Sequence, residues 1–387
     1  MNIVINAISI RDSQGGVKTF ICNLINGLVN IDENYDIIVI CSKVSKKIFE
    51  SRVKKNGSIE LFDLPVSPDG KIHRILWDQV AVPFISKRFE DAVLLSQASV
   101  SSVACPLPEV VIVQAPLSVQ SVRKDVPSEI DTTSLLQKIY YDTMLPATLC
   151  RANEVVAVSD HLRRKIAGLY PQYADKVRTV HEGVQLDNFT PESGQEVSSP
   201  FQNSYLLFAS WLYPYKRADQ AVRAFGRAMG QCGRNGLRLK LAGKDPGGQI
   251  RRLKRIARET GVSDQVDILG AVPHEKMPKL YRGAKALLFP STVETFGLPV
   301  LEAMACGTPV IASDRMSVPE VVGNAGLTVD PDNVEEMADA MCHLLENKSL
   351  QEDLRRKGKE RVKKFTWDRT ARGIRDALQD AMESEEA

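Results

Sequence analysis

Two glutamates, Glu294 and Glu302, bracket the uncharged run TFGLPVL in the stretch PSTVETFGLPVLEAMACGTPVIAS. A carboxylate accepts hydrogen bonds well from a vicinal diol. Pro299 suits the first turn of a helix, where its missing N–H is not needed. Gly307 suits the residue just past a helix end. The spacing therefore predicts a short helix from about Pro299 to Cys306. The amides of Val300, Leu301 and Glu302 would then lack a partner inside the helix and, with the helix dipole, form an anion site. Across a diphosphate, the two carboxylates would stand on opposite sides, one for a ribose and one for a sugar. That is the layout of a nucleotide sugar. On spacing alone, the pair also reads as a helix-dipole partner and a surface charge.

Two acids repel a diphosphate, so cations must compensate. SWLYPYKRAD, residues 210–219, offers Lys216 and Arg217 directly after the apolar run SYLLFAS. A lysine placed there reaches a phosphate as a point charge.

The elements around these residues place them. ALLFP reads as the strand before the helix and TPVIAS as the strand after it. The turn between lies at the carboxyl edge of a parallel sheet, where open α/β folds bind ligands. Short apolar runs alternate with helical patterns along the whole chain: NIVINAI, YDIIVIC, EVVIV, EVVAVS, SYLLFAS, LRLKLAG and QVDILG besides the two just named. Roughly a dozen such strands are too many for one compact sheet, so two doubly wound α/β domains are expected. The polar segment TPESGQEVSSPFQN, residues 190–203, has linker composition. It sets an N-terminal Rossmann-like domain at 1–190 and a C-terminal one at 200–365. The charged helical tail, 366–387, is expected to return to the N-terminal domain, with an apolar face at Ile374, Ala377 and Leu378.

Length and composition exclude several classes. The 387 residues are 43% hydrophobic and 25% charged, with net charge +2, so no electrostatic footprint for nucleic acid exists. No apolar run approaches the length of a spanning helix. MNIVINAISIRD reads as a first strand rather than a signal peptide. Seven scattered cysteines lack a CxxC or a His/Cys cluster, which suggests reduced thiols in the cytoplasm and no structural zinc. The absence of GxGxxG argues against a dinucleotide oxidoreductase.

At these motifs the chain resembles the family-four retaining GT-B glycosyltransferases (glycosyl transferases group 1), whose mark is E-x7-E. The resemblance covers nearly the whole chain: VVAVSDHLRRKI, VRTVHEGVQLDNFTP, LLFASWLYPYKRADQAVRAF and LGAVPHEKMPKLYRGAKALLFPS each resemble successive family segments. It implies two Rossmann-like domains facing a central cleft, with the nucleotide sugar held mainly by the second. It implies that Glu294 contacts the donor sugar and Glu302 the ribose hydroxyls. The backbone of Thr295, Phe296, Gly297 and Leu298 would approach the sugar, and that of Val300 and Leu301 the phosphates. Val272, in the turn Gly270–Pro273, would contact the base through its backbone. Lys216 matches the family's lysine, but Trp211 stands where an arginine is usual, and Arg217 is the substitute at hand. DSQGGVKTF resembles the family's glycine-rich loop, so Gly15 and Gly16 would bring amides to the donor phosphate ahead of the helix VKTFICNLINGLV. Gln114 and Ala115 stand where relatives carry a His-Asp pair. Gln114 can hydrogen-bond a donor hydroxyl but cannot titrate.

The resemblance implies a retaining hexosyltransferase taking GDP-mannose or a UDP-hexose. Its acceptor would be a glycan, a lipid-linked hydroxyl or a small molecule, in polysaccharide or lipopolysaccharide biosynthesis. No metal or other cofactor is expected, Glu294 and Lys216 being the catalytic pair. The basic stretch SKVSKKIFESRVKKNG, residues 42–57, reads either as a solvated helix or as a face for peripheral contact with the cytoplasmic side of a membrane. Two other readings stay open: a non-catalytic nucleotide-sugar-binding protein, or another GT-B enzyme such as an epimerase or phosphorylase.

Overall fold

The computed structural model describes residues 1–8, 10, 15–32, 34–53, 58–65, 77–89, 91–97, 99–115, 119, 134–191, 204–233 and 236–386. The linker expected at 190–203 lies almost wholly outside the described residues, as do the loop 11–14 and the lysines of 54–57. The described chain divides into two compact units. One takes in residues up to Gly183 together with Trp367 onward, and the other spans Val184–Thr366.

The first unit is built on a seven-stranded parallel sheet. Its strands are β1 (Asn2–Asn6), β2 (Asp36–Ser42), β3 (Ser58–Leu64), β4 (Ala92–Ser96), β5 (Glu109–Val113), β6 (Glu154–Ala157) and β7 (Val177–Thr179), in the order β3-β2-β1-β4-β5-β6-β7. The central strands are apolar and buried along their length because helices cover both faces, as parallel sheets require. Each fully buried Val, Leu or Ile contributes about 1.5–3 kcal/mol relative to exposure. The strand order reverses between β1 and β4, so the crevice expected of a doubly wound sheet opens there.

The helix Gly15–Ile31 follows β1, and the helix Trp367–Glu386 packs on it in the same unit. Phe20 meets Trp367 edge-on at 5.6 Å. A Cβ at Gly27 would come within 2.8 Å of the Ala371 side chain, so the two helices approach at van der Waals distance. The face formed by Ile374, Ala377 and Leu378 is fully buried.

The second unit carries a six-stranded parallel sheet. Its strands are β8 (Tyr205–Ala209), β9 (Arg238–Ala242), β10 (Val266–Gly270), β11 (Ala284–Phe289), β12 (Val310–Ser313) and β13 (Leu327–Val329), in the order β10-β9-β8-β11-β12-β13. The order reverses between β8 and β11. Among the strands, β3, β4, β7 and β13 were not anticipated from sequence. Two are only three residues long, and the first, SIELFDL, is half-exposed at a sheet edge and lacks a continuous apolar run.

The expectation of seven reduced thiols is corrected. Cys232 and Cys342 form a disulfide, with Cα atoms 6.0 Å apart across 110 residues of sequence. The packing of the helix Ala218–Cys232 against the helix Val334–Glu346 brings them together, which no sequence spacing announces.

Candidate functional site

In the second unit, β8 and β11 end side by side, and the loops that follow them carry Lys216 and Glu294. A short turn, Pro214–Lys216, closes the β8 loop, and Arg217 follows in the left-handed region at φ 56°. The two loops are tied through one carbonyl. Tyr215 O accepts from Thr292 N at 2.9 Å and from Thr292 Oγ1 at 3.0 Å. Lys216 Nζ then lies 2.5 Å from Glu294 Oε1, both side chains being less than 15% exposed. So the two residues singled out as the catalytic pair meet at the point where the strand order reverses.

The β11 loop is held from below. Ser317 Oγ donates to Glu294 O at 3.0 Å and to Phe296 O at 3.1 Å. The Phe296 side chain is buried and meets Phe365 edge-on at 5.8 Å. The Phe296 and Gly297 carbonyls are thus engaged inside the unit, by Ser317 Oγ and Val300 N. The helix spans Leu298–Ala305, within a residue of the predicted limits, with Pro299 in its first turn. Gly297 caps it at φ 118°, and Gly307 follows it at φ 76°. Both conformations favour glycine. Val300 and Leu301 are fully buried and anchor the helix in its own unit. One detail differs from the sequence reading: the Val300 amide is not unpartnered, because it donates to Gly297 O at 3.0 Å in a tight first turn.

Glu302 is enclosed. Its Oε2 accepts from Tyr281 Oη at 2.8 Å, and its Oε1 lies 4.0 Å from His274 Nε2. Burial pushes its acid constant from 4.5 to about 7, against the pull of the tyrosine hydroxyl. Tyr281 was missed by the sequence reading, although its position within LYRGAKALLFP, just ahead of β11, was in view.

The loops after β9 and β10 close over the same edge. Gly243 N donates to Gly270 O at 2.8 Å, which places the Gly270–Pro273 turn, with half-buried Val272, at the carboxyl ends of the strands. Gly243 has no room for a side chain, since a Cβ would fall 1.8 Å from Ser210 O.

The cations are already engaged. Lys216 is paired with Glu294, and Arg217 is paired with Asp332 rather than left open. Trp211, Tyr213 and Tyr215 stack in a column with centroid spacings of 5.8 and 5.4 Å, and Lys216 Nζ sits 5.2 Å from the Tyr215 ring centroid. Trp211 is thus a packing element of this loop.

In the first unit, Gly15 and Gly16 do not form a loop ahead of a helix. They are its first two residues, so any amides they offer are those of a helix N-terminus. A Cβ at Gly16 would meet nothing within 4 Å. Gln114 follows β5 and is spent on protein partners. Its Nε2 donates to Glu182 Oε1 at 2.8 Å, and its Oε1 accepts from Gln97 Nε2 at 3.0 Å. Gln97, at the end of β4 beside the β1/β4 reversal, also donates to Val17 O at 3.0 Å. Gln97 and Glu182 were both missed. Reading AVLLS as a strand would have placed Gln97 at the sheet's carboxyl edge.

The basic stretch forms the helix Lys43–Arg52, capped by Ser42. Lys46 is paired with Asp63 at 2.7 Å, while Lys43 and Lys47 are exposed. Among the described residues, no helix is long and apolar enough to cross a membrane.

Residues 191–361 match the family described as glycosyl transferases group 1. The chain is 31% identical over 235 residues to the O-antigen chain mannosyltransferase B of Escherichia coli, covering 59% of this chain and 61% of that protein. It is 32% identical over 247 residues to a D-inositol 3-phosphate glycosyltransferase of Acidothermus cellulolyticus, covering 59% and 55%. The matches span less than two thirds of the length of these relatives. In fold, the chain is similar to sucrose-phosphate synthase from Thermosynechococcus elongatus, with TM-score 0.77, 20% identity and 99% of both chains covered. It is also similar to HepE of Anabaena, solved with UDP and glucose, with TM-score 0.73, 15% identity, and 98% and 99% covered. The chain has the two-sheet Rossmann-like architecture of the GT-B glycosyltransferases, and its segment 191–361 is similar to the glycosyl transferases group 1 family.

Proposed function

We propose that the protein is a retaining glycosyltransferase that moves a hexose from a nucleotide diphosphate sugar to a hydroxyl acceptor. The observation that carries this reading is the Lys216–Glu294 pair at the β8/β11 reversal, beside a helix that begins at Gly297 and bears the buried Glu302. Glu294 would orient the sugar ring, Glu302 would hold the ribose diol, and the backbone of Val272 would meet the base. Lys216 would turn from Glu294 to the diphosphate as the sugar takes over the glutamate. The backbone from Thr295 to Leu301 would line the sugar and phosphates. In the transfer step, the bond from the anomeric carbon to the phosphate oxygen breaks. A bond to the acceptor oxygen forms on the same face, and the acceptor proton passes to the departing phosphate. Catalysis is then mostly positioning and charge stabilisation, with no metal called for. The relatives named for mannosyl and inositol phosphate glycosyl transfer support a hexose donor such as GDP-mannose or a UDP-hexose. A glycan or lipid-linked acceptor in polysaccharide or lipopolysaccharide synthesis suits a cytoplasmic enzyme. Exposed Lys43 and Lys47 would give it peripheral contact with anionic lipid, which flotation with anionic vesicles tests directly.

The deciding experiment is incubation with UDP-, GDP- and ADP-hexoses. NMR of the product should show retained anomeric configuration, and Glu294→Gln should lower turnover by about a hundredfold or more. Inversion, or full activity in the variant, contradicts the mechanism. A second reading, a non-catalytic nucleotide-sugar-binding protein, draws support from the engagement of Arg217 and Gln114 by protein partners. It requires donor binding with neither transfer nor hydrolysis.

A further inference from the structure

We propose that Tyr281 is a positioning residue for the donor site: its hydroxyl holds the Glu302 carboxylate turned toward the ribose diol and so sets the pH range in which a nucleoside diphosphate binds. This rests on the nucleotide-sugar reading above. Glu302 lies in a short helix whose Val300, Leu301 and Ala303 are fully buried, so its carboxylate sits against apolar surroundings with little water. Such a group needs a donor to remain ionised. The donor is Tyr281 Oη, 2.8 Å from Oε2.

Tyr281 has little freedom to turn away. Its side chain is 1% exposed and packs at 6.0 Å from the Phe189 ring. Its own carbonyl accepts from Thr308 Oγ1 at 2.6 Å, and the preceding carbonyl, Leu280 O, accepts from Tyr205 Oη at 2.7 Å. The short helix that carries Tyr281 is therefore clamped at two successive carbonyls. One carboxylate oxygen is anchored by the phenol, and the side chain keeps 12% exposure, the edge left for a ligand. A vicinal diol meets that edge with two donors. The other titratable groups facing Glu302 are His274, 4.0 Å from Oε1, and Cys306 at the end of the same helix.

Tyr281→Phe removes the hydroxyl and keeps the ring. Calorimetric titration with UDP, GDP and ADP first finds the nucleotide that the wild type binds; its affinity is then followed from pH 6 to pH 9. A hydrogen bond to a charged group is worth enough to move the acid limb up by about one pH unit. The variant should bind about tenfold more weakly at pH 6.5, with the gap closing by pH 9. The 2′,3′-dideoxy form of the same diphosphate should bind both proteins alike. An equal loss at every pH, or an equal loss for the dideoxy nucleotide, overturns the proposal, as does a limb that moves with His274→Gln and not with Tyr281→Phe. Wild-type protein that binds none of the three diphosphates would refute the nucleotide-sugar reading itself. Binding by the wild type with an unshifted variant refutes only the role of Tyr281.

Discussion

Replacing Glu109 by glutamine is expected to remove a pH-dependent weakness from the first unit. Glu109 is wholly buried at the start of β5, where its carboxylate accepts from Ser96 Oγ at 2.6 Å and from Ser101 Oγ at 2.9 Å. Burial pushes its acid constant from 4.5 up to about 7, the two serines and Arg151 pulling the other way. A carboxyl raised in this manner binds its proton more tightly in the native state than in the unfolded chain. Its contribution to stability is complete below pH 4.5 and is lost as the pH climbs to about 7. From 4.5 to about 7, at about 1.36 kcal/mol per pH unit, the loss is about 3 kcal/mol. Glutamine keeps the shape and cannot ionise. Its oxygen can accept from one serine while its amide donates to the other. Allowing about 1 kcal/mol for an imperfect hydrogen bond, the variant should be about 2 kcal/mol more stable than wild type at pH 8. By pH 4.5 the order should reverse, the variant being up to about 1 kcal/mol less stable. Urea unfolding at both pH values, with hydrogen exchange of the β5 amides to localise the change, measures it. Glu302 in the second unit carries a similar liability in both proteins and cancels in the difference. A variant-minus-wild-type difference that is the same at both pH values would show that Glu109 is ionised in the native state throughout, and the burial argument would fail.

Three further outcomes are expected. Glu294→Gln leaves the Lys216 ammonium, only 14% exposed, without its carboxylate. It should cost about 1–3 kcal/mol in urea melts and drop sugar transfer by about a hundredfold or more. Gly243→Ala forces a Cβ against Ser210 O at 1.8 Å. It should destabilise the second unit by at least about 2 kcal/mol and weaken nucleotide binding, and a thermal melt matching wild type would contradict the close approach of the β8 and β9 loops. Cys232→Ser opens a loop of 110 residues. It should lower the stability of the second unit by up to about 4 kcal/mol, and the addition of dithiothreitol should have no effect on the variant while lowering the wild type to match it.

Much of the architecture was legible in the residues. Strands buried on both faces announce themselves as continuous apolar runs, and Pro299 and Gly307 mark the ends of a helix through backbone geometry alone. Those are local effects, set by neighbours in sequence. The short strands β7 and β13 left no such mark, because three residues carry too little pattern to stand out. The candidate site was legible as a set of residue types, and Lys216, Glu294 and Glu302 lie in one unit around the β8 and β11 loops. Their states were not legible. That Lys216 spends its charge on Glu294, 78 residues away, that Arg217 turns to Asp332, and that Gln114 is held between Gln97 and Glu182 follow from which strand ends lie side by side. Gly15 and Gly16 moved from loop to helix because the chain after β1 starts its first turn earlier than the apolar period shows.

Sequence alone settled the fold class and named the acids and the lysine as candidates, since local pattern and residue chemistry suffice for both. Tertiary structure decided which of those groups are charged, paired or available. The protonation of Glu302 depends on how much water reaches it and on Tyr281, 21 residues away along the chain, and the Cys232–Cys342 bridge depends on two helices meeting. Burial and pairing across long sequence separations are properties of packing, and packing is fixed only when the whole unit folds.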